Sequence, residues 1–223
     1  MCELGGKVLS TKNIATLNLM FFYYLFILHR LQTTLDKHYG TVNLLKNLPE
    51  DFKTPNRKDI ASSTGTCFLS AARDGIMSLW SSDGSCLASQ GAHRTAVTCM
   101  SDVQSHSDLK NMIEVSGPCV ITSGMDNIVR LWDVRRMKVA TEFSLPNVVK
   151  VAWFNQSVIT GSSSGEMYVW DYNDEPGDRD ETHTGWSARA LTNHSHQCSD
   201  IVTSKYCVAS SSKSGKILRY SAM

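Results

Sequence analysis

Side chains able to do chemistry are scattered along this 223-residue chain, and few of them are grouped. The densest group is the run His194-Ser195-His196-Gln197-Cys198, which contains imidazole and thiol ligands of the kind that zinc binds. Its spacing matches no standard zinc site, so we interpret it as a loop that carries a structural histidine. The sequence also lacks the motifs of phosphate-binding loops, hydrolase nucleophiles and helical zinc sites. It therefore predicts no catalytic, cofactor-binding or metal-binding residues.

The composition indicates which classes of partner and which cellular compartment are expected. Lys and Arg number 22 against 21 Asp and Glu, so net charge gives no general reason to bind nucleic acid. The seven cysteines are odd in number and dispersed, and none forms a C-x-x-C pair. This pattern favours reduced thiols over a disulfide framework. We expect a cytoplasmic protein, with the nucleus as the alternative.

A strand–turn–strand pattern recurs along the sequence. Four windows of equal length align without gaps, and each leads from a short strand through a turn into a second strand that ends on an aromatic residue. The windows are 69–80, 121–132, 159–170 and 209–220. Their turns share one column, where a tight hairpin needs a residue that tolerates positive φ: Gly75, Asn127, Gly165 and Gly215. The match in strand, turn and aromatic residue indicates a repeated hairpin.

One further strand is predicted on each side of the hairpin in a unit. The segments that follow the aromatic residues are 85–89, 138–143 and 187–191, and those that precede the windows are 41–45, 96–100 and 148–154. Four short antiparallel strands in units of about 40–50 residues are typical of propeller blades. The sequence therefore predicts an all-β fold built from such blades.

The short motifs inside the repeat resemble those of the WD40 repeat family. They are Leu-Trp-Asp at 131–133, Val-Trp-Asp at 169–171 and Gly-x-His at 91–93. The resemblance covers roughly residues 35–223, with repeats at approximately 35–90, 91–143, 144–192 and 193–223. It implies a WD40 β-propeller, incomplete here, of about four to five four-stranded antiparallel blades. It also implies that the chain binds other proteins.

The same resemblance assigns roles to the recurring polar residues. In that family a histidine ahead of the first strand, a Ser or Thr on the second, an Asp in the hairpin turn and the Trp form a buried hydrogen-bonded tetrad. The assigned tetrads are His93, Thr122, Asp126 and Trp132, and, more loosely, His38, Ser70, Asp74 and Trp80. In isolation such a set resembles the relay of a hydrolase. Because it recurs with the blade period, we interpret it as structural.

The last two repeats depart from the tetrad pattern. The third has no histidine before its first strand and has Ser164 in the turn. The fourth has Ser214 in the turn, with His194 or His196 as its candidate histidine. We therefore expect these two blades to rely on packing. Their remaining anchors are two aromatic residues, the Asp of a Trp-Asp pair and two turn glycines: Trp170, Tyr220, Asp171, Gly165 and Gly215.

The number of repeats is smaller than a closed ring of this family usually needs, which is six or seven. Residues 1–34 are predicted to be a degenerate N-terminal blade fragment, and the sequence ends before a fourth strand of the last blade. We interpret the chain as the C-terminal part of a larger propeller protein. A complete ring of four or five blades is the alternative.

An apolar run at residues 17–28 lies inside the N-terminal fragment. It is shorter than the roughly 20 residues that a membrane-spanning helix needs, and Asn18 interrupts it. Glu3 and Lys7 make a poor start for a signal peptide. We expect a buried or edge segment, and leave open a membrane contact or a non-native start of the chain.

Three long insertions are predicted to project from one face of the blades. They are residues 46–65, 102–117 and 172–185. The third is acidic, and binding sites in repeat proteins often lie on such insertions. Its candidate partner-binding residues are Asp174, Glu175, Asp178, Arg179, Asp180 and Glu181. The alternative is that this face simply tolerates insertions.

These observations predict a non-catalytic protein–protein interaction scaffold or adaptor. By resemblance, the recognition or trafficking module of an F-box or BEACH-type protein is an alternative. A membrane-attached regulator anchored by residues 17–28 and an enzyme built on a propeller are further alternatives from other classes.

Overall fold

A computed structural model describes residues 35–48, 67–103, 113–172 and 185–221. The chain divides into two compact units, Met1–Asp36 and Lys37–Met223. The first unit is described only at Leu35 and Asp36, which lie in no strand. The second unit holds fifteen strands among its described residues, and no helix occurs there.

The strands form four separate antiparallel sheets, which we call blades one to four in chain order. Blade one consists of β1 Val42–Asn47, β2 Cys67–Ala72, β3 Ile76–Ser81 and β4 Cys86–Gly91. Blade two consists of β5 Val97–Asp102, β6 Cys119–Gly124, β7 Ile128–Asp133 and β8 Lys138–Ser144. Blade three consists of β9 Val148–Phe154, β10 Ser157–Ser162, β11 Met167–Tyr172 and β12 Trp186–Ala190. Blade four consists of β13 Cys198–Thr203, β14 Cys207–Ser212 and β15 Ile217–Ser221.

The repeated windows form the central hairpin of each blade, for example β6 with β7. The turn residue in the shared column has positive φ in all four blades, as the sequence predicts. The φ angles are 78° at Gly75, 63° at Asn127, 96° at Gly165 and 78° at Gly215. These turns fix the register, so that the closing aromatic lies opposite the second residue of the preceding strand, as Trp132 lies opposite Val120.

The core lies between the blades, because successive side chains of a strand point to opposite faces of its sheet. Val120 and Trp132 pack against blade one, in a cluster with Leu69 and Met77. The neighbouring Ile121 packs the other way, in a cluster with residues of blade three. A third cluster joins blade three to blade four. Each blade is therefore held by its neighbours as well as by its own ladder.

The first strands of successive blades lie side by side. Hydrogen bonds join them from Asn43 Nδ2 to Val97 O (3.1 Å) and from Thr98 Oγ1 to Val148 O (3.4 Å). Ion pairs join Lys46 to Asp102 (2.6 Å) and Lys150 to Asp200 (3.4 Å). This radial order of antiparallel sheets confirms the predicted all-β, incomplete β-propeller. Blade four has three strands among the described residues, where the other blades have four.

Candidate functional site

The clearest polar site is a buried hydrogen-bonded set in blade two. His93 lies in the loop before β5, and its Nδ1 is 2.8 Å from Asp126 Oδ1 in the β6–β7 turn. Its Nε2 is 2.8 Å from Thr122 Oγ1 on β6. Trp132 Nε1 donates to the same hydroxyl at 2.9 Å. The structure thus brings together the four residues of the first assigned tetrad.

Donor chemistry sets the direction of each bond in this tetrad. An indole N–H can only donate, so the Thr122 hydroxyl accepts from Trp132 and donates its own proton to His93 Nε2. The proton of the neutral imidazole then lies on Nδ1 and is donated to Asp126. Burial lowers the pKa of His93 in spite of the opposing effect of Asp126, which favours this neutral ring. Every polar group of these four side chains that takes part in the tetrad is therefore paired.

The carboxylate of Asp126 is the anionic end of the set. Burial acts to raise its pKa, but hydrogen bonds from His93 and from the backbone N–H groups of Arg94 and Ile128 outweigh burial and hold the pKa below its ordinary value. Arg130 lies nearby, with Nη1 3.5 Å from Asp126 Oδ2 and Nε 2.7 Å from Glu142. The whole arrangement ties the loop before β5 to the β6–β7 turn.

Blade one repeats the arrangement with a serine in place of the threonine. His38 lies 3.1 Å from Asp74 Oδ2 through Nδ1 and 2.7 Å from Ser70 Oγ through Nε2. Trp80 Nε1 donates to Ser70 at 2.8 Å. The structure therefore also brings together the four residues of the looser assignment.

Blade three keeps only the inner part of the network. Trp170 Nε1 donates to Thr160 Oγ1 at 3.1 Å, and Thr160 is fully buried. In the turn, Ser164 bonds to Ser162 (2.8 Å) and to Glu166 (3.0 Å). Among the described residues this blade lacks the complete tetrad, as expected from its sequence, but its indole still pairs with a buried hydroxyl.

Blade four keeps the histidine instead. The structure selects His194 over His196, because His194 is 4% exposed and its Nε2 lies 2.8 Å from Ser210 Oγ. His196 is exposed and bonds only to its neighbour Ser195. Tyr220, in the aromatic column, donates its hydroxyl to Thr192 O at 2.7 Å. Blade four therefore keeps a partial network without the complete tetrad.

Asp133 has a structural role that sequence reasoning did not assign. Its side chain is buried, and its carboxylate accepts the N–H (2.8 Å) and the hydroxyl (2.7 Å) of Ser116 and the N–H of Arg136 (3.2 Å). The Trp-Asp pair of the motif was the available signal. Asp171, at the same position in blade three, accepts from Ser157.

The acidic loop residues predicted to bind a partner, Asp174, Glu175, Asp178, Arg179, Asp180 and Glu181, lie outside the described residues. The apolar run 17–28 lies outside them as well. In the part of the chain that the structure describes, no group of three or more His, Cys, Asp or Glu side chains could hold a metal. The same part contains no helix long and apolar enough to cross a membrane.

A cavity of about 570 Å³ opens at one end of the blades, where the four first strands begin. Its wall combines residues from all four blades, and its residues include Asn43, Val97, Thr98, Lys150, Cys198 and Ser199 on the first strands. Arg73, Met125 and Lys213 reach it from the turns within the central hairpins. The strand ends that border the three predicted insertions, such as Tyr172 of β11 and Trp186 of β12, lie at the opposite end of the blades.

The charged residues that line the cavity are all cationic. Arg73 and Lys213 are exposed, and Lys150 is partly buried beside Asp200. Met125 adds an apolar side chain that is 68% exposed. Arg73, Met125 and Lys213 occupy one column of the repeated windows, so the repeat could have indicated that they lie at the same end of their blades. Lys150 lies outside the windows and had no such signal.

Comparison with solved structures supports the fold. This chain is similar to the computationally designed Ika4 protein, with a TM-score of 0.58 and 17% identity over 86% of this chain and 98% of that one. It is also similar to the designed Ika8 protein, with a TM-score of 0.57 and 17% identity over 86% of this chain and 49% of that one. The chain thus spans about half of Ika8, and at this identity the likeness shows the fold alone.

A protein-family match identifies the best-formed repeat. Residues 84–133 match the WD40 family, described as "WD domain, G-beta repeat". The matched segment contains His93, Thr122, Asp126 and Trp132, which form the blade-two tetrad. The other three sheets repeat the central hairpin of this blade. Residues 84–133 are therefore similar to a WD40 repeat, and they lie within four antiparallel sheets that are consistent with WD-like blades.

Proposed function

We propose that this chain is a non-catalytic scaffold or adaptor that binds other proteins through its propeller face. WD40 domains generally bind other proteins, and here the recurring His, Ser/Thr, Asp and Trp side chains are occupied by bonds to one another. Those residues stiffen the blades and leave binding to the surface. The proposed compartment is the cytoplasm.

The cavity at the start of the first strands carries the proposal. Three cationic side chains, Arg73, Lys150 and Lys213, surround it, and Met125 projects beside them. Opposite charges speed association and select partners. The fitting occupant is an extended acidic segment of another protein that carries one apolar side chain to contact Met125.

Charge reversal tests this surface. The double variant Arg73→Glu with Lys213→Glu should reduce association with a co-purified partner by about tenfold or more at low salt, because rim charges act mainly on the association rate. Lys205→Glu is the matched control, since Lys205 is exposed in the turn between β13 and β14, at the other end of the blades. Equal binding by the double variant and the control would refute the proposed surface.

A loop deletion in which a two-residue Asn-Gly turn replaces residues 173–185 separates this surface from the acidic insertion, because Tyr172 pairs with Trp186 and the two strands need a turn between them. If the cavity is the binding site, the deletion should leave partner association unchanged while the double variant loses it. If the insertion binds, the deletion alone should weaken association. Both proteins should first show unfolding transitions close to that of the parent chain.

A further inference from the structure

In blades one and two, Nδ1 of the tetrad histidine pairs with a carboxylate. The equivalent histidine nitrogen of blade four is buried without such a partner among the described residues. The ring of His194 is buried, and its Nε2 bonds to Ser210 Oγ at 2.8 Å. Its Nδ1 is also buried and has no hydrogen-bond partner among the described residues. A buried polar atom of this kind costs free energy unless a partner reaches it.

The partner position in this blade belongs to Ser214. Ser214 lies four residues after Ser210, as Asp126 lies four residues after Thr122. Both turns close with the same backbone bond, from Asn127 N to Gly124 O (3.2 Å) and from Gly215 N to Ser212 O (3.0 Å). The hairpin of blade four therefore presents Ser214 where blade two presents its carboxylate.

The loop that carries the histidine is also placed alike in the two blades. His93 N donates to Gly75 O at 3.0 Å, and His194 N donates to Gly165 O at 2.9 Å. Each ring then reaches a hydroxyl on the second strand through Nε2 at 2.8 Å. With backbone and Nε2 fixed in the same way, Nδ1 of His194 faces the turn that contains Ser214.

The turn around Ser214 suits an anion but holds no carboxylate. Ser214 is exposed, and its hydroxyl bonds to Ser212 Oγ at 2.7 Å. The exposed Lys213 and Lys216 flank it in the sequence. A phosphate on a serine supplies strong acceptor oxygens and negative charge, which cationic neighbours stabilise.

We propose that Ser214 is a phosphorylation site and that its phosphate completes the tetrad of blade four. A protein kinase would catalyse the transfer from a nucleoside triphosphate. Ser214 Oγ forms the new bond to the γ-phosphorus, the bond from that phosphorus to the β,γ-bridging oxygen breaks, and the nucleoside diphosphate leaves. The hydroxyl proton passes to a base of the kinase.

The modification would act on the stability of the blade. A phosphate oxygen accepts the Nδ1 proton of His194, and so ties the loop before β13 to the β14–β15 turn. The phosphate oxygens lie one bond farther from Cβ than those of an aspartate, and the exposure of Ser214 leaves room for this. This regulation goes beyond the scaffold function and does not depend on which surface binds the partner.

Blade three offers a matched control within the same chain. Ser164 occupies the same column and is equally exposed. No histidine precedes β9, and Ser164 already bonds to Glu166. A phosphate there has no imidazole to pair with and lies beside a negative charge.

The test uses the full chain with phosphoserine incorporated at position 214 or at position 164. The titration of His194 is followed by NMR, and thermal unfolding is recorded for both proteins. Burial now holds the pKa of His194 below its ordinary value of 6.5. Phosphoserine at 214 should raise the pKa of His194 relative to the unmodified chain and raise the Tm, whereas phosphoserine at 164 should do neither. An unchanged His194 titration, or the same shift from position 164, would overturn the proposal.

Two further measurements complete the test. Ser214→Asp should also raise the Tm, and the additional change His194→Gln should remove most of that gain. Mass spectrometry of the protein from its own cells, with phosphatases inhibited, should find phosphate on Ser214. Recovery of the Ser214 peptide only in unmodified form would overturn the assignment of a phosphorylation site.

Discussion

At the scale of single residues, Trp132 combines two roles that are separate in most side chains. Its ring is 1% exposed and packs in the cluster between blades one and two. Its N–H donates to Thr122, which in turn donates to His93. The same side chain therefore fills the space between two sheets and orders the polar network within one.

Removing the Trp132 ring should remove both its packing and its hydrogen bond to Thr122. Trp132→Ala should lower the free energy of unfolding by about 3–5 kcal/mol, the usual range for truncating a buried aromatic. Trp132→Phe retains most of the packing and removes the N–H, so it should cost less, about 1–3 kcal/mol. Chemical denaturation of both variants measures the difference. An unfolding midpoint of Trp132→Ala equal to that of the parent chain would contradict the buried position of the ring.

The tetrad of blade two should make stability depend on pH. In the folded chain the pKa values of His93 and Asp126 both lie below their ordinary values, 6.5 and 3.8. The unfolded chain therefore takes up protons first, and acid favours unfolding. The stabilisation is complete above pH 6.5, falls as pH drops below it, and falls again below pH 3.8.

Unfolding free energies from pH 8 to pH 3 would measure this dependence. The double variant His93→Gln with Asp126→Asn lacks both groups, so its stability should change less with pH than that of the parent chain. The same pH dependence in both proteins would contradict the role of the tetrad.

How far the site could be predicted depends on how local its residues are. The motif predicted which residues meet in blades one and two, because the repeat spacing sets the loop, strand and turn positions together. It did not choose between His194 and His196, since both lie in the same loop and only burial separates them. Two of the cavity cations, Arg73 and Lys213, share a column of the repeated windows, whereas Lys150 lies outside the windows and joins them only in the assembled fold.

At the scale of elements, the blades approach one another closely where small residues line their faces. Gly161 on β10 is the clearest case. A Cβ atom at this position would lie 2.5 Å from Cys198 Sγ and 2.8 Å from Cys198 Cβ. The first strand of blade four can therefore pack against blade three only because residue 161 has no side chain.

A side chain at this position should separate the two blades. Gly161→Val should destabilise the chain by about 1–3 kcal/mol, as overpacking of a close-packed core does. Hydrogen exchange should quicken in residues 198–221 and change little in residues 67–102. Gly91→Ala is the control, because a Cβ there meets no atom within 4 Å. Equal effects of the two substitutions would contradict the close contact.

The central strands could be predicted from the sequence more fully than the hydrogen bonds that join them. Alternating apolar residues, a turn that needs positive φ and a closing aromatic residue together predict the central hairpins. The network remnants in blades three and four were not predicted, although Thr160 and Ser210 occupy the window column of Ser70 and Thr122. Strand propensity and residue spacing predict where strands and turns lie, whereas hydrogen-bond partners depend on how the blades assemble.

At the scale of the whole molecule, the polar side chains discussed above form two groups, one in the interior and one at the end that carries the cavity. The recurring His, Asp and hydroxyl groups lie between loops and strands, where they bond to one another. The cations at the cavity face solvent around a concave surface. A rigid interior with a charged concave end is the arrangement expected of the protein-binding scaffold that we propose.

The binding footprint tests this central claim most directly. Hydrogen exchange of the chain, alone and in complex with a co-purified partner, should show protection on binding in the turns at residues 73–75, 125–127 and 213–215. We expect protection there to exceed protection in the β13–β14 turn at residues 204–206. Protection confined to other parts of the chain, or a well-formed complex with no protection at these three turns, would contradict it.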